Sequence, residues 1–393
     1  MKNSATIFVF FYLILFLSSC NEKEHKNSIL DAEEIVIDAK NQTALPYDSI
    51  ITKIDYIKLE TTDTNLIGQI SQLLFIDSLI VVVDQEIAQS AYVFDLTGKF
   101  LYSIGKKGNG PGEYVEPTHI AYDPLNDRFS LFDKHQNRII HYSRKGTYLS
   151  SEKTPFMMYD FEYLTNGYRA YNKGGMDDIS LGKFRLNPLI VTNEENHPIY
   201  GDCHVPYKPN VFEYTMVKPL RKFGDEVFFS PDYSNLMYLV TDSAVIPKYH
   251  INIVWNGMPA VDDNITDEMF REYCDKYFIF NGDIIELKDF SYINIMTRVG
   301  FPFVLYSHNQ KKTYFCNDQT SHPIHPFLVN NEPIARYRDN TVVFDLSSDF
   351  LFFNREELNK NYPSYNSWLD GLYDGITEDS NPVLVLCQIN EEL

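Results

Sequence analysis

Two stretches of the chain superimpose. Leu73–Gly105 reads LLFIDSLIVVVDQEIAQSAYVFDLTGKFLYSIG, and His119–Ser151 reads HIAYDPLNDRFSLFDKHQNRIIHYSRKGTYLSS. Asp77 matches Asp123 at an offset of 46, Asp84 matches Asp133 at 49, and Gly98 and Phe100 match Gly146 and Tyr148 at 48. A period of this length is that of a propeller blade. Each unit divides into four short runs of β-branched and aromatic residues: LLFID, LIVVVD, AYVFDL and FLYSI, then HIAYD, RFSLFD, RIIHYS and TYLSS. Turn residues separate them, and Gly98 and Gly146 fall where a tight hairpin needs positive φ. Aromatics at 15% of the chain favour strands over helices. The fold expected is all-β: a six-bladed β-propeller of four-stranded antiparallel blades, with short helical insertions.

The later units are degenerate but keep the beat. LIVTNEENHPI from Leu189 aligns with YLVTDSAVIPKYHI from Tyr238, with Val191 and Val240 separated by 49. NGYRAYN from Asn166, DEVFFS from Asp225 and DNTVVFDL from Asp339 each read as turn then strand. Phe301–Asp318 reads as a hairpin around Asn309-Gln310, and Pro382–Ile389 as a last apolar strand. This places blades near 54–105, 106–152, 153–206, 207–255, 280–318 and 330–390, with seven blades as the alternative count. A ring must also close, and the strand Ile51–Glu60 is a candidate partner for the C-terminal strand. Two segments break the pattern as helices. Thr266–Phe278 has Thr266 as N-cap, with Met269, Phe270, Tyr273 and Tyr277 on one face. Asn354–Gly375 reads as two helices split by Pro363, with Asn354 and Glu357 at capping-box spacing and Trp368, Leu369 and Leu372 as docking residues.

Between the first two units lies GKKGNGPGEYVEP, Gly105–Pro117, which holds four of the 18 glycines in the chain. A phosphate-binding loop requires G-x-x-x-x-G-K-[ST], which is absent, and strand rather than helix follows, so no helix N-terminus faces an anion. The loop instead carries the chain from the outer edge of one blade to the start of the next. Gly108–Leu149 resembles an NHL repeat through Gly110-Pro111-Gly112-Glu113-Tyr114, Pro117, Ile120-Ala121, Asp123, Asp133, Asn137-Arg138-Ile139 and Gly146. The first unit has Gln89, Ser90 and Ala91 where that pattern has Asn-Arg-Ile. The resemblance implies that Asp133 and Arg138 hold a blade together rather than catalyse. The loop also reaches the mouth of the central channel in a fold of this kind. Asn109, Glu113 and Tyr114 are therefore the candidate ligand loop, set against the alternative that Glu113 and Tyr114 pin the loop to the next blade.

The N-terminus supplies a cellular address. Lys2 precedes a run of thirteen residues, Ala5–Leu17, shorter than the roughly 20 that a spanning helix needs. It ends in Leu17-Ser18-Ser19-Cys20. A charged start, an apolar run and small residues before the cut describe a secretory signal peptide. The final four residues resemble a bacterial lipobox, which implies cleavage before Cys20 and diacylglycerol on its thiol. The polar NEKEHKNS that follows loosely resembles the surface-export signals of Bacteroidetes lipoproteins, leaving the periplasmic side and the cell surface both open. Lipobox, acidic mature chain and Gly-rich loop together resemble the six-bladed β-propeller lipoproteins of Bacteroidetes. The division expected is a signal peptide over 1–19, a polar tether and lead-in over 20–45, and one propeller domain over 46–393, its NHL-like repeats clearest at 73–151. Cys203, Cys274, Cys316 and Cys387 are scattered without a C-x-x-C pair and read as buried free thiols, with disulfides the alternative.

Catalytic patterns are sparse. His322 and His325 are flanked by prolines with no third ligand nearby, Asp177-Asp178 and Asp262-Asp263 lack calcium-loop spacing, and there is no G-x-S-x-G elbow. No catalytic residue, metal ligand or cofactor is assigned, save room for a lone structural Ca²⁺ in the axial channel. The formal charge of -20 argues against nucleic acid. The expected partners are the membrane, through the lipid on Cys20, and a protein or glycan bound by a monomeric, non-catalytic module. The alternative is a metal-dependent propeller enzyme, a hydrolase or lyase acting on a sugar or lactone.

Overall fold

The computed structural model describes residues 31–38, 40, 44–174, 177–202, 218–231, 234–257, 266–296, 303–317, 322–323, 328 and 331–393. Six antiparallel blades follow one another around a central channel. Blade 1 consists of Gln72–Ile76, Leu79–Asp84, Ser90–Asp95 and Phe100–Ser103. Blade 2 runs Pro117–Asp123, Arg128–Asp133, Arg138–Ser143 and Tyr148–Lys153, and blade 3 runs Asp160–Tyr163, Arg169–Asn172, Leu189–Thr192 and Pro198–Asp202. Blade 4 holds Leu220–Phe223, Glu226–Phe229, Leu236–Val240 and Val245–Ile253, and blade 5 holds Ile279–Glu286, Phe290–Met296, Phe303–Ser307 and Lys312–Asn317.

Blade 6 closes the ring. Ala335–Arg336, Thr341–Leu346 and Val383–Ile389 are its first three strands, and Ile51–Lys58 is its fourth, antiparallel to Val383–Ile389. The closing strand expected from sequence is thus present, and blade 1 begins at Gln72 rather than near residue 54. The chain upstream does more than lead in. Glu33–Ile37 adds in parallel to the outer strand of blade 4, and Ala44–Pro46 to that of blade 5. EEIVI alternates as a half-buried strand should, with Ile35 and Ile37 inward and Glu34 and Val36 outward. These additions cover two outer edges that would otherwise present unpaired backbone.

Six hydrophobic clusters, each shared by two neighbouring blades, hold the ring together. The run Leu79–Asp84 shows how. Ile80 and Val82 pack with Val343 and Leu384 of blade 6, while Val81 and Val83 pack with Phe129 and Leu131 of blade 2. A strand buried on both faces has no solvent side, so LIVVV is apolar throughout instead of alternating.

Strand alternation sorts the connections. First-to-second and third-to-fourth strand turns leave one face of the ring, and second-to-third and blade-to-blade connections leave the other. Gly105–Pro117 and every long helix lie on this second face. After α1, a single turn at Tyr47–Ile50, α2 spans Asp267–Lys276 between blades 4 and 5, and its cap is the Thr266 hydroxyl accepting from Met269 N–H. α3 spans Ser348–Asn361 and α4 spans Asn366–Tyr373, both inserted within blade 6. α3 begins six residues before Asn354, whose side-chain amide donates to the Phe350 carbonyl. The Asn354–Glu357 capping box is therefore corrected: Leu351 is buried in the core with Phe350 packed against it, and the helix starts early enough to dock both. Trp368 packs edge-on against Tyr56, and Lys58 donates to the Gly371 and Asp374 carbonyls, so α4 covers the closing strand. Among the described residues, no helix is long and apolar enough to cross a membrane.

Candidate functional site

The Gly-rich loop is tied down at nearly every polar atom. Tyr114 is 1% exposed, packs among Val81, Val93 and Ile120, and its hydroxyl accepts from Ala91 N–H at 3.4 Å. Burial pushes its phenol up. The Glu113 carboxylate accepts from Gly110 N–H at 2.8 Å and pairs with Lys106 Nζ at 3.0 Å, which hold it below the usual carboxylate range. Arg138 donates to the Glu113 carbonyl, and Tyr142 donates to the Gly112 carbonyl at 3.0 Å. Gly112 needs to be glycine: its φ is +73°, and an added Cβ would lie 2.6 Å from the Tyr148 ring.

Asp133 is fully buried and accepts from Val115 N–H, Glu116 N–H, Gln136 N–H and Gln136 Nε2, at 2.7–3.3 Å. Asp84 does the same work one unit earlier, accepting from Gly68, Gln69 and Ile87 N–H. The paired aspartates at offset 49 thus fasten each inter-blade loop to its blade. Asn109 is exposed on the loop, and none of Asn109, Glu113 and Tyr114 lines the central cavity.

That cavity, about 570 Å³, is lined by the inner strands of all six blades. Among the described residues, none of α2, α3 or α4 lines it. Its polar wall comes from all six blades, blade 1 contributing Ser71, Gln72 and Asp77. His119 Nε2 lies 2.8 Å from the Phe161 carbonyl, so it carries the proton there, and 3.4 Å from Glu162 Oε1. His119 Nδ1 is buried with no partner. Lys218 Nζ is likewise buried without a partner. Burial, with the repulsion of Arg221, draws its ammonium down to about 8 against the partial support of Asp160 and Glu162. Asp160 stands behind the lining. Its Oδ2 accepts from Asn172, its Oδ1 is unpaired, and burial raises it to about 6 despite His119 and Lys218 nearby.

Arg221 Nη2 and Asp283 Oδ1 form an ion pair at 2.5 Å, but out of line for a hydrogen bond, so that oxygen still lacks a donor. Asp283 Oδ2 is satisfied by Asn294. Glu332 accepts from Asn281 at 3.4 Å and is held well above the carboxylate range by burial and by Asp283. These groups come from different inner strands, so no short sequence pattern joins them. The available signal was a polar residue near the start of successive inner strands.

A second cluster imitates catalytic geometry. Ser130 Oγ lies 2.8 Å from His141 Nδ1, and His141 Nε2 lies 3.2 Å from Glu152 Oε1. Ser130 is fully buried and its hydroxyl also bonds Tyr163 at 2.9 Å, so no substrate can approach. Burial opposes the Glu152 charge, yet His141 and Arg169 outweigh it and hold this carboxyl at about 2. The group is a buried bridge between blades 2 and 3. Among the described residues, no three His, Cys, Asp or Glu side chains group to hold a metal ion. Cys274 and Cys387 are free thiols; Cys20, Cys203 and His325 lie outside the described residues, as does the side chain of Cys316.

Residues 32–388 match the family described as a domain of unknown function, DUF4934. The chain belongs to the DUF4934 family. No curated protein is recognisably similar in sequence. Among solved structures, this DUF4934 propeller is similar to a protein of Bacteroides fragilis assigned as exported: TM-score 0.77 at 19% identity, over 91% of this chain and all of that one. It is also similar to a member of the DUF4221 family from Bacteroides vulgatus, with TM-score 0.50 at 9% identity, over 86% of this chain and 97% of that one. At these identities the likeness is one of fold, and the site must be argued from its own residues.

Proposed function

We propose that this DUF4934 protein is a lipid-anchored β-propeller of the cell envelope, with NHL-like repeats at 73–151, that binds a small polar ligand in its central channel. The observation that carries the binding role is the set of unmet polar atoms around one cavity: Lys218 Nζ, His119 Nδ1, and one oxygen each of Asp160 and Asp283. Buried polar groups are nearly always paired, because an unpaired one costs about 1–3 kcal/mol. Four in one cluster read as groups whose partner arrives from outside. A cavity of about 570 Å³ suits a small molecule and is too narrow for a folded protein.

The support for the anchor is Leu17-Ser18-Ser19-Cys20 after a short apolar run. Two acyl chains would hold the protein to a membrane where one would be marginal. Two experiments test the reading. Ligands that bind the folded state raise its melting temperature, so a panel of neutral sugars, carboxylates and amines should contain at least one that does so. No shift from any of them would defeat the channel site. Cys20→Ala should lose lipid labelling and leave the membrane fraction; unchanged labelling would defeat the anchor.

A further inference from the structure

We infer that the channel takes an uncharged, polyhydroxylated ligand, a saccharide, with its hydroxyls bridging His119, Lys218 and Asp283 along the wall of blades 2, 4 and 5. The inference rests on the channel reading above and narrows it to one chemical class. Three observations support it.

The lining is balanced in charge. Five basic and five acidic side chains face the cavity, in a chain that carries 34 basic and 54 acidic residues overall. The basic groups are mostly committed. Arg221 is paired with Asp283, Lys222 donates to the Tyr163 carbonyl at 2.8 Å, and Arg336 donates to the Glu286 carbonyl at 2.9 Å. Arg338 stands at the exposed rim with its guanidinium over the Tyr337 ring. An anionic ligand would gain Lys218 and the rim Arg338 but would stand against Glu162 and Asp283 in a site where burial magnifies repulsion. A cationic ligand would meet the same problem from Lys218 and Arg221.

The unmet atoms are of both kinds. Lys218 Nζ can only donate. Asp283 Oδ1 can only accept while ionised, and His119 Nδ1 accepts because Nε2–H is used on the Phe161 carbonyl. A hydroxyl accepts from an ammonium and donates to a carboxylate or imidazole through the same oxygen, and brings no charge. Several hydroxyls on one rigid ring can serve all three without changing the charge balance of the site. The remaining wall suits the carbon face of such a ring, since Leu73, Phe75, Ile120 and Tyr122 line the same cavity. A site built this way rejects analogues that leave its polar atoms unpaired.

Titration calorimetry on the full chain in detergent tests the class with matched probes: glucose, glucuronate and glucosamine, the galactose counterparts, and disaccharides built from each. A neutral saccharide should bind at least tenfold more tightly than its uronate and its amino counterpart. Lys218→Met should weaken that binding at least tenfold, and so should Asp283→Asn. Lys145→Met, on an exposed hairpin of blade 2, should leave it unchanged. Melting curves of each variant separate lost binding from lost fold. Tighter binding of a charged member, abolished by Lys218→Met, would overturn the saccharide class and leave the channel reading standing. Neutral-sugar binding that survives Lys218→Met would place the sugar elsewhere and overturn the inference. Silence across all three classes would defeat the channel reading itself.

Discussion

The Gly105–Pro117 loop and the inner wall of the channel are both rich in polar groups, yet they differ in how those groups are spent. In the loop, Asp133 accepts four hydrogen bonds, Arg138 and Tyr142 cap loop carbonyls, and Glu113 is occupied by Gly110 and Lys106, with Arg138 Nε the one buried atom there left without a partner. In the channel wall, Lys218, His119 and Asp283 each keep a buried atom without a partner, and so does Asp160 behind them. A satisfied polar network fixes a structure, whereas an unsatisfied one costs stability and persists when something else repays it. On the proposed reading the loop is scaffold and the channel wall a site. Changes in the first should lower stability, and changes in the second should lower binding.

The largest loss should come from Asp133→Ala. It takes the acceptor from three partly buried backbone N–H groups at once, and at the lower end of about 1–3 kcal/mol for each the total is a few kcal/mol. Denaturant titration checks this. A loss below about 1 kcal/mol would mean that the loop holds without its aspartate. Gly112→Val comes next, with an expected cost on the order of 1–3 kcal/mol from positive φ, with the approach to Tyr148 in addition. An unchanged thermal melt would contradict it. Glu113→Gln should have the smallest effect, because its partner Lys106 is exposed and the neutral amide oxygen can still accept from Gly110. A fall in melting temperature as large as that of Gly112→Val would show that the Glu113 charge organises the loop after all.

Much of the ring was legible in the chain because a blade buried on both faces leaves a strong mark. LIVVVD and RFSLFD have no solvent side, and Asp84 and Asp133 end matching strands for the same hydrogen-bonding reason. The closing strand at Ile51 was legible too, since a ring needs one. The edge strands Glu33–Ile37 and Ala44–Pro46 were not, because five and three residues of mixed polarity carry little periodicity. The channel was hardest to read. Residues 119, 218, 283 and 332 belong to four blades, and only the closed ring brings them together. The Gly-rich loop drew attention by composition, but composition there records a tight turn.

The comparison turns on Lys218, and its melting temperature as a function of pH tests the account most directly. If its ammonium is held in the channel at a cost, Lys218→Met should melt higher than the native chain at pH 7. The sign follows from linkage. The unfolded chain keeps this proton up to about 10.5, the ordinary value for a lysine, while the folded chain releases it near 8. Between those values the unfolded state binds more protons, so native stability rises with pH and the advantage of Lys218→Met should shrink as pH goes from about 8 to 10.5. A variant that melts lower than the native chain at pH 7, with a gap indifferent to pH, would show that Lys218 is a satisfied structural residue and would contradict the ligand site.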